Sequence, residues 1–336
     1  MAHASTARPD ALPARAHERQ RALRGVAIDS VGAALPDRVV TNAEIAELLG
    51  VDEHWIVKRT GVRERRWAQP GESMADLVEV AARQALDRAG LDPADLDLVL
   101  VATESYDEML PGCSPVIADR LGAELSASAD IHAACTGLLT AMDLAAAQIE
   151  TGRADNALVI GAEMVSKFLD LTDRMTVPLM ADGAGALVLS AREGASRVGP
   201  SVFRADGALW NLAYVPRTDY RFRMAGGDTF QFAVQSLADV TREVLERAGL
   251  TIDDIDVFAY HQANGRILRA VGAKLGLDAD KVLSVVEWIG NPSAASIPIS
   301  LDHAIGEGRL EDGDRVLMAA IGGGAIWGAC LVEWGG

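Results

Sequence analysis

The sequence predicts an α/β protein assembled from two copies of one unit, and three observations carry that reading. Short apolar runs of strand character alternate with longer helical patterns, as in proteins whose sheets are buried on both faces. The stretch Arg83…Leu86-Asp87-Arg88-Ala89-Gly90-Leu91…Asp97 is echoed by Arg242…Leu245-Glu246-Arg247-Ala248-Gly249-Leu250…Asp256, an offset of 159. Gly152-Arg153 is echoed by Gly308-Arg309, an offset of 156, and a β-like run follows each pair. Either match alone is weak, but nearly equal offsets make them support each other. The two halves are read as residues 25–191 and 192–336.

Residues 1–24 mix Ala, Pro and His with five arginines and show no sustained apolar face, so they read as a disordered tail. The fold is expected to start near Gly25, with GVAIDSVGAAL as a buried strand and its exit. Thr41-Asn42 caps the short helix AEIAELLG. Residues 52–67 follow, with Lys58, Arg59, Arg63, Arg65 and Arg66 clustered beside Trp55. Such a run is ordinarily a solvated face. A tryptophan beside it also suits a flat ring and a phosphate. A helix over Ser73–Ala89 and a strand over Leu96–Ala102 come next, then the acidic loop Thr103–Gly112 and a helix in which Cys113 is a packed side chain. Ile131-His132-Ala133-Ala134-Cys135-Thr136-Gly137 then leads into a breaker-free helix over Leu138–Ile149. Ala157–Gly161 and Gly185–Leu189 read as buried strands.

In the second half, Val257–Tyr260 is an apolar strand closed by His261, and a helix runs from Arg266 to Gly276. Asn291-Pro292-Ser293-Ala294-Ala295-Ser296 opens a helix to about Gly306. The offset of 156 sets Asn291 where Cys135 stands in the first half, so two equivalent helix starts are expected to face a common centre. Ile321-Gly322-Gly323-Gly324-Ala325 joins the last two strands. A glycine run is by default a tight turn, but it also lets backbone N–H groups approach a substrate oxygen.

The chain has 336 residues, 49% hydrophobic and 24% charged, as an ordinary globular protein does. No apolar run is long enough to span a bilayer, and no hydrophobic signal core precedes the fold. Three widely spaced cysteines, Cys113, Cys135 and Cys330, form no CxxC pair, which argues against a disulfide framework or a zinc site and for the reducing cytoplasm. A net charge of −17 disfavours nucleic acid and anionic membranes as partners.

A cysteine among small residues at a helix start is suited to nucleophilic chemistry, because unpaired N–H groups and the macrodipole favour a thiolate. Free cysteine is also among the most buried residues, so the position alone decides nothing. His261, at the carboxyl end of a strand where α/β proteins place ligands, supplies a second reactive group. His132 is read as packing behind the cysteine, and His54 and His303 as helix residues.

Taken together, AACTG around Cys135, HQANGRI from His261, GNPSAASIP around Asn291 and the C-terminal GGGAIWGACLV resemble the ketoacyl synthase III family of the thiolase superfamily. WIVKRTGVRERR, LTDRMT and ADGAGA are similar to that family as well, and the resemblance runs from about Gly25 to the C-terminus. It implies a thiolase-like five-layer αβαβα fold of two duplicated halves. It further implies that Cys135 takes an acyl group from a CoA thioester and that His261 and Asn291 stabilise the enolate formed as a malonyl thioester on acyl carrier protein loses CO2. The N–H groups of Cys135 and Gly323 would form the oxyanion hole, and Trp55, Arg59 and Arg174 would clamp CoA. Arg266, with Arg269 and Lys274 at helical spacing, would dock the carrier protein. Leu110, Met180 and Ile321 would line the acyl pocket. A homodimer is implied, with the loop Ser105–Gly112 reaching into the partner's pocket. The chemistry calls for no metal and no redox cofactor, CoA thioester being a substrate.

Departures from the family pattern are Pro292 for a usual Thr, Met175 for a Gly, Gln231 for a basic residue, Pro178 in a strand-like stretch, and Leu110 and Met180 at positions often Phe. They bear on acyl and carrier specificity and suit fatty-acid or specialised pathways equally. The alternative activity is acyl transfer to an oxygen, nitrogen or sulfur acceptor without decarboxylation, which retention of Asn291 disfavours. A catalytically silent scaffold is disfavoured by the presence of all three reactive residues.

Overall fold

The structure, a computed structural model, describes residues 23–335. The expected tail therefore lies outside the described residues except at its end. There Arg24 belongs to the fold, donating through Nη2 to Ile149 O at 2.9 Å and through its N–H to Glu150 O at 3.1 Å.

In the first half, strand β1 (Gly25–Ala34) leads to β2 (Val39–Thr41), α1 (Asn42–Leu49), α2 (Glu53–Thr60) and β3 (Glu64–Arg66). Thr41 caps α1 in a reciprocal box with Glu44, so the helix start read from the sequence is the observed one. Helix α3 (Met74–Ala89) is capped by Ser73, and β4 (Leu98–Ala102), α4 (Cys113–Leu121) and β5 (Ala127–Ile131) follow. Helix α5 (Gly137–Glu150), β6 (Asn156–Met164) and β7 (Asp182–Arg192) complete the unit. The second half comprises β8 (Val198–Ala205), β9 (Ala213–Tyr214), β10 (Arg223–Met224) and α6 (Gly226–Ala248). It continues with β11 (Val257–Tyr260), α7 (Gly265–Leu275), α8 (Val286–Ile289), α9 (Ser296–Gly306), β12 (Arg315–Gly322) and β13 (Ile326–Glu333).

One sheet has the order β1-β7-β6-β4-β5 and the other β11-β12-β13-β8. Read from the opposite end, the second repeats the first. β8, β13, β12 and β11 take the places of β1, β7, β6 and β4, and a single bridge from Phe258 to Val282 stands for β5. In both sheets the first two pairings, counted from β1 or β8, are antiparallel and the remaining ones parallel. Leu138 and Met142 of α5 and Ile297 and Leu301 of α9 share one core with Leu187 of the first sheet and Met318 of the second. These two helices therefore form the middle layer. Helices α3 and α4 cover the outer face of the first sheet, and α6 and α7 that of the second. The result is the expected five layers. The inner strands are covered on both faces, which is why β4 reads Leu-Val-Leu-Val-Ala without alternation.

Two expectations need correction. The cations of residues 52–67 do not form one basic face. Arg65 is fully buried and donates to Val40 O, Asn42 Oδ1 and Pro178 O, while Arg63 is paired with Glu287. Pro178 interrupts no strand, because residues 176–180 form a turn in which Thr176 O accepts from Leu179 and Met180.

Candidate active site

A cavity of about 1230 Å³ is lined by residues of both halves, Cys135 and Glu163 from the first and His261, Asn291 and Gly322 from the second. Cys135 reaches it from the tight turn Ala134–Thr136 that starts α5, and Asn291 from the segment before the matching turn Ser293–Ala295 that starts α9.

The equivalence of these two turns differs from the sequence expectation. Ala134 and Ser293 both hold left-handed backbone, with φ of 46° and 49°, and they stand 159 positions apart, as do the helix starts Gly137 and Ser296. Asn291 thus corresponds to His132, not to Cys135. The reason is local: α9 has 11 residues where α5 has 14, so the offset is 159 before the helix and 156 just after it. The two reactive residues still share one centre because the turns pack on each other. Gly161 of β6 lets the second turn lie close against the first sheet, since a Cβ there would be 2.4 Å from Ala294 O. Gly322 is as restricted, for its Cβ would meet Cys135 N at 2.7 Å and Ala134 Cβ at 2.9 Å. The glycine run is therefore pressed against the nucleophile's backbone, with Gly323 also lining the cavity.

His261 is held from behind. Its N–H donates to Ala319 O at 2.8 Å, and the side chain of the adjacent Gln262 makes four hydrogen bonds, to Tyr260 O, Leu283 O and the N–H groups of Val285 and Val286. His261 Nδ1 lies 2.7 Å from Ser296 Oγ, which already accepts from Gln262 N at 3.2 Å. No other acceptor for the Ser296 hydroxyl is found among the described residues, so its one proton is assigned to Nδ1 and the ring proton to Nε2. Burial pushes His261 down to about 3, so the imidazole is neutral at any working pH. Asn291 donates one Nδ2–H to Ala263 O at 3.2 Å and accepts from Ser293 N at 2.9 Å. Its second amide hydrogen has no partner among the described residues and remains for a ligand. Pro292 does not disturb this loop, because the bonds that fix it, Asn291 N to Leu179 O and Ala181 N to Asn291 O, use no N–H at position 292.

Cys135 differs from expectation in its resting state. Although the residue keeps some exposure to the cavity, desolvation pushes the thiol up to about 12, and the Glu163 and Glu104 charges add to the shift. The helix start does not outweigh this, so the resting group is a thiol. His132 does not pack behind it either. Its ring is exposed, 2.9 Å from Glu104, whose other oxygen accepts from Ala134 N at 3.0 Å.

The cavity rim collects cations. Arg59, Arg174, Arg217 and Arg266 line it, and none of them makes an ion pair among the described residues, whereas many other arginines do. Arg59 lies over the Trp55 ring at 4.5 Å, Arg174 donates to Leu49 O at 3.0 Å, and Arg266 lies over Phe230 at 5.0 Å. Trp55 itself is half-buried and stands behind Arg59 rather than in the cavity wall. Arg269 and Lys274 are exposed on α7 outside the cavity, again without ion pairs among the described residues. Gln231 and Met175 line the cavity, the latter fitting against Gly226, where a Cβ would lie 2.2 Å from Met175 Cε. Met180 and Ile321 are buried wall residues. Leu110 is not in the wall of its own chain's cavity, being 88% exposed with Met109 at 75% beside it. Sequence reasoning gave no role to Glu163, Arg217, Ser293 or Ser296. The two serines lie within the GNPSAASIP segment, while Glu163 and Arg217 carry no local signal that marks them.

Family models match two stretches: 3-oxoacyl-[acyl-carrier-protein] synthase III over residues 129–207, and the C-terminal region of the same synthase over residues 245–334. The chain is 44% identical over 318 residues to beta-ketoacyl-[acyl-carrier-protein] synthase III of Chelativorans sp. (strain BNC1), covering 91% of this chain and 98% of that one. Its fold is similar to 3-oxoacyl-[acyl-carrier-protein] synthase III from Aquifex aeolicus VF5, with a TM-score of 0.90, 39% identity and coverage of 92% and 100%. It is similar also to the priming β-ketosynthase of the R1128 polyketide biosynthetic pathway, with a TM-score of 0.91, 33% identity and coverage of 95% and 99%. With one reactive cavity shared by two duplicated halves and this likeness along nearly its whole length, the chain belongs to the beta-ketoacyl-[acyl-carrier-protein] synthase III family of condensing enzymes.

Proposed function

We propose that this cavity performs an acyl-CoA-primed decarboxylative condensation with malonyl-acyl carrier protein. The observation that carries the reading is the pair of free donors, His261 Nε2–H and the second Asn291 amide hydrogen, on the same cavity as Cys135. In the first half-reaction the Cys135 sulfur attacks the thioester carbonyl, the oxyanion is held by the N–H groups of Cys135 and Gly323, and CoA leaves. In the second, the malonyl C–C bond breaks, its electrons settle on the thioester oxygen held by His261 and Asn291, and CO2 departs. The enolate carbon then attacks the acyl-cysteine and the C–S bond breaks. A neutral imidazole suits this, because it donates without placing a proton on the carbanion. Neither half-reaction involves a net oxidation or reduction, so the chemistry calls for no redox cofactor. The test is malonyl-dependent CO2 release after loading with an acyl-CoA. Loading without any CO2 release would replace condensation by acyl transfer to another acceptor.

The unpaired rim cations suit the adenine and phosphates of CoA at Arg59 and Arg174, with Trp55 stacked behind. Carrier docking is assigned to Arg266, Arg269 and Lys274, a local positive face on a chain of net charge −17. Arg269→Glu with Lys274→Glu is expected to raise the apparent KM for malonyl carrier protein about tenfold and to leave loading from acyl-CoA unchanged. Equal loss of loading would assign these residues to the fold or the CoA channel instead.

The assembly proposed is a homodimer. Strand β5 is an open, exposed sheet edge, and the exposed Met109 and Leu110 lie on the loop leading into α4, whose first N–H groups are capped by Asp130 of that strand. A partner pairing there would bring Leu110 to the second cavity. Light scattering at micromolar concentration should give twice the chain mass, and a fully active monomer would refute it. The halves are divided near residue 191, since the first sheet ends with β7 at Arg192. Among the described residues no helix is long and apolar enough to cross a membrane. The cytoplasm is proposed from the free thiols Cys113, Cys135 and Cys330.

A further inference from the structure

Among the described residues, Glu163 is the one buried carboxylate at the cavity, and the condensation does not use it. It sits on β6, 2% exposed, in the wall of the cavity beside Cys135. Its Oε2 accepts from Ser105 Oγ, and both oxygens lie 3.3 Å from Glu104 N. No Lys, Arg or His pairs with it among the described residues, although an unpaired buried carboxylate is costly. The remaining contact runs to the nucleophile. Ser293 Oγ lies 3.3 Å from Glu163 Oε1 and also 3.3 Å from Cys135 Sγ. The Ser293 hydroxyl is within donating reach of both the sulfur and the carboxylate but has one proton and two lone pairs, so when that proton is given to Glu163 a lone pair on Ser293 is left to accept the Cys135 S–H. The chain is held at a backbone cost, because Ser293 sits at φ 49°, where side chains are uncommon.

We propose that Glu163, acting through Ser293, accepts the Cys135 thiol proton during acyl loading. As the sulfur attacks the thioester, the S–H bond breaks and its proton passes to Ser293 Oγ, while the Ser293 proton passes to Glu163 Oε1. The sulfur lone pair forms the new S–C bond, and the C–S bond to CoA breaks. The proton returns through Ser293 to the departing CoA sulfur, which restores the carboxylate. Glu163 touches neither substrate, so it is a positioning and relay group. The inference rests on the acyl-cysteine reading above and adds the base that a resting thiol needs. His261 does not supply it, since its Nδ1 is engaged by Ser296 and its other nitrogen carries the proton.

The sign of the pH dependence follows. Desolvation and the neighbouring Glu104 charge raise Glu163 to about 8, so the accepting carboxylate form grows as pH rises through that value. The titratable groups facing it are Glu104 on the loop after β4, with His132 paired to that residue, and Cys135 on the turn before α5. The turn before α9 presents only Ser293.

The test is the rate of Cys135 alkylation by iodoacetamide, mapped by peptide mass, and of its loading by acyl-CoA, each from pH 6 to 10 in wild type, Glu163→Gln and Ser293→Ala. Gln keeps the shape of Glu and still accepts from Ser105. Alanine is tolerated at φ 49°, because Ala134 already sits at 46°. Wild type should rise to a plateau with an inflection near pH 8. Both variants should lose the inflection and fall about 100-fold at the plateau, the scale of a lost general base. An inflection that persists in either folded variant, a uniform fall at every pH, or its absence in wild type overturns the relay. If alkylation and loading both follow the expected profile and lose it in the variants, yet no malonyl-dependent CO2 is released after loading, the relay stands and the condensing reading fails.

Discussion

Cys135→Ala is expected to abolish loading from acyl-CoA while slow CO2 release from malonyl carrier protein continues, and His261→Ala to do the reverse. The two residues stand on different elements of different halves, Cys135 on the turn before α5 and His261 after β11, and each is held by its own bonds. Removing the sulfur leaves Ser296, Gln262 and Ala263 in place, so the enolate donors keep their geometry. Removing the imidazole leaves the nucleophile turn intact, and the variant should accumulate as the acyl-enzyme, seen by intact mass. Loss of one preorganised donor costs about 100-fold or more in the step that develops the charge. If His261→Ala instead slows loading as much as condensation, the imidazole acts on the thiol, and the separation of half-reactions is wrong.

Gly322→Ala is expected to slow loading by about 100-fold with little loss of fold. The position is not in left-handed backbone, so alanine strains no torsion there; the effect is contact alone. Its methyl would lie 2.7 Å from Cys135 N and 2.9 Å from Ala134 Cβ, both backbone or near-backbone atoms with little freedom to retreat. The turn carrying Cys135 must shift by a few tenths of an ångström or more, and a reactive group displaced on the order of 1 Å costs about 100-fold. Single-turnover loading rates and a thermal melt check this together. An unchanged loading rate would mean that the loop after β12 yields and the nucleophile does not.

How much of this was legible beforehand follows from what kind of interaction fixes each feature. Helix starts at Thr41 and Ser73, the strand Val257–Tyr260 and the α5 run are local, set by capping side chains and by periodicity, and they were readable to within a residue or two. The duplication was readable as well, because each half repeats its own local signals. The register of that duplication was not. A helix of 11 residues in place of 14 shifts the count within one element, and only the packed turns, with Ala134 and Ser293 in the same left-handed backbone, show that Asn291 matches His132.

Charge was the least legible property. Arg65 reads like its neighbours in a basic run, yet tertiary packing buries it on three oxygens, because a run's sequence says nothing of which face a short β3 turns inward. Cys135 was expected as a thiolate from its helix start, but burial beside Glu163 and Glu104 keeps the proton on sulfur. The sequence by itself determined which reactive residue types this protein has and which local element carries each. The tertiary structure alone decided their protonation and their partners, since desolvation and hydrogen bonding depend on groups such as Glu163 and Ser293 that lie 130 positions apart in the chain and in contact in the fold.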